Sequence, residues 1–360
     1  MTPRSNGEIS ETTPRELRVQ FRRELMGYHN RLVRDLAWVI LVPPVLRAES
    51  RFNPTIPLVA YDSYGCARPV IISDPDRWLD GTDEWTAYRR SEPYLRDLDA
   101  EARTDGRLFR EFARRLTPYL SGRRGVLYER FVEEWFRIDP EIRIHAANVQ
   151  IHGSGRTLGQ LDFVTEETGE PVTHTEVAVK YYLQTGAIHD LYRWVGTDLH
   201  ERMDAKIAHM LFHQLPMSRT VEVQSLFSGK DAQPQRSIAS VRGILFYALS
   251  AIKSGNRVSK QWPGQPAGWW ATAKEFLDAE WRGADSWMTA SSDVWFSPAR
   301  SGECEGTVWG TREELVDETR ESVAVRPVLV LGFADGTEIT RGFLLHRSFD
   351  IQPGLDPLIE

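Results

Sequence analysis

The sequence predicts an α+β fold, on three observations. Phe21, Leu25, Tyr28, Leu32 and Leu36 recur at helical spacing, and the chain reads as mainly helical from Arg15 through Phe136. Three extended runs follow, Ile142–His152, Leu158–Thr165 and Thr173–Leu183, rich in Val, Leu, Ile, Phe and Tyr. Strand signals return at the end, where Arg326–Gly332 and Glu338–His346 are joined by Ala334-Asp335-Gly336-Thr337.

Taken in order, residues 1–14 are polar and read as a disordered tail without an apolar export segment. The longest apolar run, Leu36–Leu46, is broken by Pro43 and Pro44 and is short of the ~20 residues of a membrane span. It predicts a buried helix that stops at the prolines. An acidic loop over Ser73–Arg90 leads to further helix around Tyr94–Arg115, then to a helix over Gly125–Arg137. Helix Leu199–Leu215 follows the hairpin, and Arg242–Ser250 is a later strand added in parallel. Composition shifts near residue 226, so the expected division is 15–225 and an appended Trp-rich α+β lobe over 226–360. Its tryptophans (Trp262, Trp269, Trp270, Trp281, Trp287, Trp295 and Trp309) either stack on single-stranded bases or, the favoured reading, fill a core.

At 360 residues the chain is long enough for about two domains of ~100–200 residues. Hydrophobic content of 41% and charged content of 26% are those of a soluble globular protein. The net charge of −7 argues against non-specific polyanion binding by the whole surface, so any nucleic-acid face must be local. Cys66 and Cys304 form neither a disulfide framework nor a zinc site, which fits a reducing cytoplasm. No P-loop, Gly-x-Ser-x-Gly elbow or Cys-x-x-Cys pair is present, which leaves ATPase, serine-hydrolase and zinc-finger chemistry without support.

The most informative stretch is Thr157–Leu183. A turn through Glu166-Glu167-Thr168-Gly169-Glu170-Pro171, centred near Thr168–Glu170, places Asp162 opposite Glu176 across the hairpin. Opposed side chains lie ~4.5–5.5 Å apart at Cβ, where like charges are destabilising. A divalent cation is the usual remedy. Lys180 shares a face with Glu176 and Ala178, because strand side chains alternate. Two acids and a lysine on adjacent strands suit metal-dependent phosphodiester cleavage, with oxygen ligands for Mg²⁺ or Mn²⁺. An ordinary hairpin with solvated acids is the plain alternative.

Gly159-Gln160-Leu161-Asp162-Phe163, the run HTEVAVKYYL ending at Leu183, Trp194-Val195-Gly196 and the run RMDAKIAHMLFHQL ending at Leu215 closely resemble the bacterial DUF1853 family. The likeness extends upstream to Arg34–Leu46 and Gly122–Phe136. Downstream it takes in Arg242–Tyr247, Gly268–Trp270, Val294–Pro298 and Arg341–Leu345. That family resembles a divergent branch of the PD-(D/E)XK nuclease-like superfamily. The resemblance implies an open mixed sheet flanked by helices and a Mg²⁺- or Mn²⁺-dependent nuclease, acting on DNA sooner than RNA. It further implies that Asp162 and Glu176 hold metal, that Lys180 orients the attacking water, and that Glu129 completes the site from its helix. Two departures stand out. Glu176 and Lys180 are four residues apart, roughly 13 Å along a strand, where the superfamily spaces them by two, and Ala178 takes the place of the usual acid. Gln160 supports Asp162 where the family commonly has glutamate. The alternative is a catalytically inactive fold of this kind that binds nucleic acid or protein.

Nucleic-acid contacts are expected from two groups. Arg123, Arg124 and Arg130 belong to a local basic run beside the Glu129 helix. Arg202, Lys206, His209 and His213 share one helical face, with Gln214 adjacent. Solvated, salt-bridged helix faces explain both groups equally well.

Overall fold

The computed structural model describes residues 14–45, 56–61, 67–72, 83–153, 155–187, 191–253, 266–290, 294–304 and 308–346. The expected tail lies outside this set except for Pro14, which opens helix α1 (Pro14–Met26). Trp262 lies outside it too.

Helix α2 (Arg31–Leu41) begins where the Asn30 side chain accepts the Leu32 and Val33 N–H groups, and every residue from Val33 to Leu41 is buried. An N-cap of this kind satisfies donors that the first turn leaves without partners. Strands β1 (Ile56–Tyr61) and β2 (Ala67–Ile72) form a separate antiparallel pair. Asp83 caps α3 (Glu84–Ala102) by accepting from Trp85 and Thr86, so the helix begins inside the stretch expected as a loop. Helices α4 (Arg107–Leu116) and α5 (Arg124–Ile138) complete the amino-terminal helical layer.

The core is a nine-stranded mixed sheet flanked by helices. Strands β3 (Ile142–Gly153), β4 (Arg156–Glu167) and β5 (Thr173–Gln184) are antiparallel neighbours in sequence and in space. The short β6 (Trp194–Gly196) pairs with the end of β5. Strand β7 (Arg236–Ala248) then runs parallel to β5 along its whole length, from Thr173↔Arg236 to Leu183↔Phe246. Next come β8 (Ala267–Thr272), parallel to β7, and β11 (Thr337–Leu345), parallel to β8. The antiparallel β10 (Val328–Ala334) and β9 (Ser286–Thr289) close that edge. Strands from both sides of residue 225 therefore share one sheet. The two-residue turn at Asp335 and Gly336 has positive φ at both positions, the geometry a tight hairpin requires.

One face of the sheet, through Phe163, Val177, Val179, Ile244 and Phe246, packs under α2, α3 and α5. The other face carries Ala178, Tyr182, Val241 and Leu245 against α6 (Met203–His209). The expected helix over Leu199–Leu215 therefore needs correcting at its start. Leu199 sits at φ 64°, Asp198 accepts the His200 and Glu201 N–H groups, and Val195 bridges Arg202, so helix begins only at Met203. A short α7 (Val221–Leu226) covers the outer hairpin. Helices α8 (Leu249–Lys253), α9 (Ala273–Leu277) and α10 (Arg312–Val325) belong to the carboxy-terminal half. Trp269, Trp281 and Trp287 surround Phe276 with ring centroids 4.9–5.3 Å away, which places these tryptophans in a core.

Arginines, one of them (Arg242) fully buried, tie the layers together at the carboxyl ends of helices. Arg242 of β7 donates to the carbonyls of Val39, Ile40 and Val42 at 3.0–3.1 Å. Arg300 donates to Met26, Tyr28 and His29 after α1, and Arg312 to Phe276, Leu277 and Ala279 at the end of α9. Each supplies donors and positive charge where a helix leaves carbonyls without partners.

Candidate active site

Strands β4 and β5 pair only over Phe163↔Thr175, Val164↔His174 and Thr165↔Thr173. Continued by one step, that register sets Asp162 opposite Glu176, and there the strands part. Carboxylates take over the backbone bonds. Asp162 Oδ2 accepts the Val177 N–H at 3.0 Å, and Glu176 Oε1 accepts the Asp162 N–H at 3.4 Å. Both acids are buried, Glu176 completely. Burial first, and then the charge of Glu176, push the Asp162 carboxyl up to about 8.

Glu176 is held from two further directions. His174, fully buried, places Nε2 at 2.7 Å from Oε1, and its Nδ1 has no partner among the described residues, so an Nε2–H tautomer satisfies the pair. The Gln214 amide donates to Oε2. Gln214 ends a π-helical segment, Met210–Gln214, that continues α6. Such a segment is a frequent feature of functional sites. Lys206 Nζ in turn donates to Gln214 Oε1 at 3.3 Å. Burial and the charge of Lys180 lower the Lys206 pKa, while Glu201, Glu176 and Asp162 pull it up. Lys206, Gln214, Glu176 and His174 thus form one hydrogen-bonded chain.

Gln160 donates to Asp162 Oδ1 at 3.5 Å and to Asn148 Oδ1 at 3.3 Å. Asn148 lies on β3 at φ 53°, in the left-handed region, and its Nδ2 is buried without an acceptor among the described residues. Strained backbone of this kind collects at functional sites. Sequence reasoning missed Asn148, His174 and the structural part played by Gln214. Only His174 carried a local signal, since it shares the Glu176 face of β5 by simple alternation.

Lys180 shares that face too, and Glu201 takes it. Its Nζ donates to Glu201 Oε2 at 2.6 Å, and Tyr182 donates to Glu201 Oε1 at 2.9 Å. Glu129 of α5 has its pKa raised by burial, with Arg130 and Lys206 lowering it and Glu176 raising it, which places it within the field of the acid pair. No hydrogen bond joins it to them among the described residues.

The arginines expected at phosphate are mostly engaged within the protein. The Arg124 guanidinium lies over the Trp295 ring at 3.7 Å, Arg130 pairs with Glu133 at 2.6 Å, and Arg202 holds Asp204 at 2.8 and 3.0 Å. Arg123, the N-cap of α5, is exposed. His209 and His213 face each other with ring centroids 5.3 Å apart.

Among the described residues, no three His, Cys, Asp or Glu side chains converge as a metal-ligating group. The acid pair still fits a hard, oxygen-liganded cation. Two buried carboxylates meet there where the ladder opens, offering oxygen donors of the kind such a cation takes. No described helix is long and apolar enough to cross a membrane.

A family model described as a domain of unknown function, DUF1853, matches residues 34–345. No curated protein and no solved structure matches the chain.

Proposed function

The chain belongs to the DUF1853 family, and from the geometry of its acid pair we propose that it is a divalent-metal-dependent nuclease of the PD-(D/E)XK type, with DNA the favoured substrate. One observation carries the reading: Asp162 and Glu176 are buried side by side where β4 and β5 separate, with their backbone and side-chain donors fixed. Asp162 and Glu176 would hold Mg²⁺ or Mn²⁺, which polarises a phosphate and lowers the pKa of a bound water. The remaining work falls to the chain itself. Val177 N–H and Gln160 set the Asp162 carboxylate, and His174 and Gln214 set Glu176. Lys206 brings positive charge beside both acids, where charge develops on phosphate in the transition state. Lys180 supports this arrangement through Glu201, and Glu129, its pKa raised by burial, would complete the site from α5.

A second reading is a catalytically inactive fold of the same kind that binds nucleic acid or protein. The ion pair of Lys180 with Glu201, which occupies the lysine of the motif, favours it. Cleavage of duplex, single-stranded and branched DNA and RNA with Mg²⁺ or Mn²⁺ separates the two. The nuclease reading expects wild-type cleavage, none by Asp162→Ala, and a larger loss of rate for Lys206→Met than for Lys180→Met, with substrate binding nearly intact. A wild type that binds these substrates and cuts none, or an Asp162→Ala variant that still cuts, overturns it.

A further inference from the structure

A cavity of about 390 Å³ lies on the face of the sheet opposite the acid pair. Thr175 and Val177 line it and alternate along β5 with Glu176, so one strand separates the two sites. The volume is within the range of small-molecule sites. Its mouth lies between the start of α3, the β4–β5 turn and the start of β7, and α5 forms its roof.

The interior offers donors without acceptors. Thr165 and Thr175 are 8% and 6% exposed, and neither hydroxyl has a hydrogen bond among the described residues. The ring of Trp135 lines the same space, and its indole N–H is buried without an acceptor.

The charges at the mouth are unevenly spoken for. Asp83 is consumed in capping α3, and Glu167 accepts from Arg90, which also holds Asp139. Glu170 is exposed at the turn. Arg236, at the start of β7, is exposed and has no carboxylate partner among the described residues. Val132 and Phe136 supply an apolar wall.

We propose that this cavity binds a small organic anion. Its carboxylate or phosphate meets Arg236, its apolar body lies against Val132, Phe136 and Trp135, and its remaining acceptors take the hydroxyls of Thr165 and Thr175. The proposal is independent of the nuclease reading, since none of these residues belongs to the acid site.

The test is a titration of the full ¹⁵N-labelled chain with indole-3-acetate and phenyl phosphate, each set against its neutral counterpart, indole-3-acetamide or phenol. The Trp135 indole cross-peak, identified through Trp135→Phe, is the reporter. At least one anion should move that peak saturably, and its neutral counterpart should bind at least tenfold more weakly. Arg236→Gln, at an exposed position that keeps the fold, should weaken the anion by a similar factor, and Thr175→Val should weaken it through the interior. Whichever anion binds tells carboxylate from phosphate. An indole peak unmoved by either anion at millimolar concentration, a neutral compound that binds equally well, or an Arg236→Gln protein with unchanged affinity overturns the proposal.

Discussion

Burial and the charge of Glu176 keep the Asp162 carboxyl of the metal-free protein protonated to higher pH than in the unfolded chain. Its pKa is raised from 3.8 to about 8, so between those values the folded state binds more protons through this group than the unfolded state. The stability it contributes is complete below about pH 4 and is lost as pH rises through about 8, at no more than about 1.4 kcal/mol per pH unit. Asp162→Asn has no such proton to lose. Melting temperature measured from pH 5 to 8 should fall more steeply for the wild type than for Asp162→Asn, and above pH 7 the variant should melt at or above the metal-free wild type. Mg²⁺ or Mn²⁺ bound to the folded state should raise the wild-type melting temperature, by about 2.7 kcal/mol of stabilisation at a hundredfold excess over Kd, and leave the variant nearly unchanged. Parallel pH profiles, together with a wild type indifferent to both metals, would show that the two acids neither share charge nor hold a cation.

Among the elements, β7 is the hub, and two adjacent residues make it so. Gly243 has φ 147°, and a Cβ there would fall 1.7 Å from the Lys180 carbonyl oxygen, so only glycine allows β5 and β7 to approach this closely. Arg242, one residue earlier, reaches the last carbonyls of α2 and lies 5.0 Å from the Trp135 ring. Arg242→Met would leave those carbonyls buried without a donor, at a cost of about 1–3 kcal/mol for a group so stranded. Denaturant unfolding of the variant should show a loss of about 3 kcal/mol or more with an unchanged m-value. Arg242→Lys should recover little of it, because an ammonium lacks the planar fork that reaches several carbonyls at once. A loss below 1 kcal/mol would mean that water replaces the guanidinium and that the cap is dispensable.

For the molecule as a whole, the composition break near residue 226 falls just before the chain enters the middle of its sheet. A fragment ending at residue 225 would keep β3, β4 and β5 yet expose the whole β7-facing edge of β5, from Thr173 to Leu183. An unpaired edge of that length, stripped of Ile244 and Phe246 from the core beneath it, favours aggregation over folding. The fragment 15–225 should therefore give no cooperative unfolding transition and no dispersed amide spectrum, while the full chain gives both. A fragment that melts cooperatively would establish the amino-terminal part as an independent domain.

What the sequence determined by itself was local. The apolar run ending at Pro43 and Pro44 marked α2, whereas the period from Phe21 to Leu36 is broken between α1 and α2. Helical spacing marked α5, strand alternation put Glu176, Ala178 and Lys180 on one face, and the turn at Thr168 and Gly169 set the register that brings Asp162 toward Glu176. Each rests on neighbours a few residues apart, where period and turn chemistry act directly. The tertiary structure decided the rest. It gave Lys180 to Glu201, brought Gln214 and Lys206 to the acid pair by way of a π-helical segment, and set Asn148 beside Gln160 across a bulged hairpin. It also put β7 between β5 and β8, which no local period encodes. Those partners lie 8 to about 60 residues apart along the chain, and which of them meet depends on how the layers pack. A lysine and a glutamate read the same in sequence whether they flank a catalytic water or simply neutralise each other, and only the packed chain distinguishes the two.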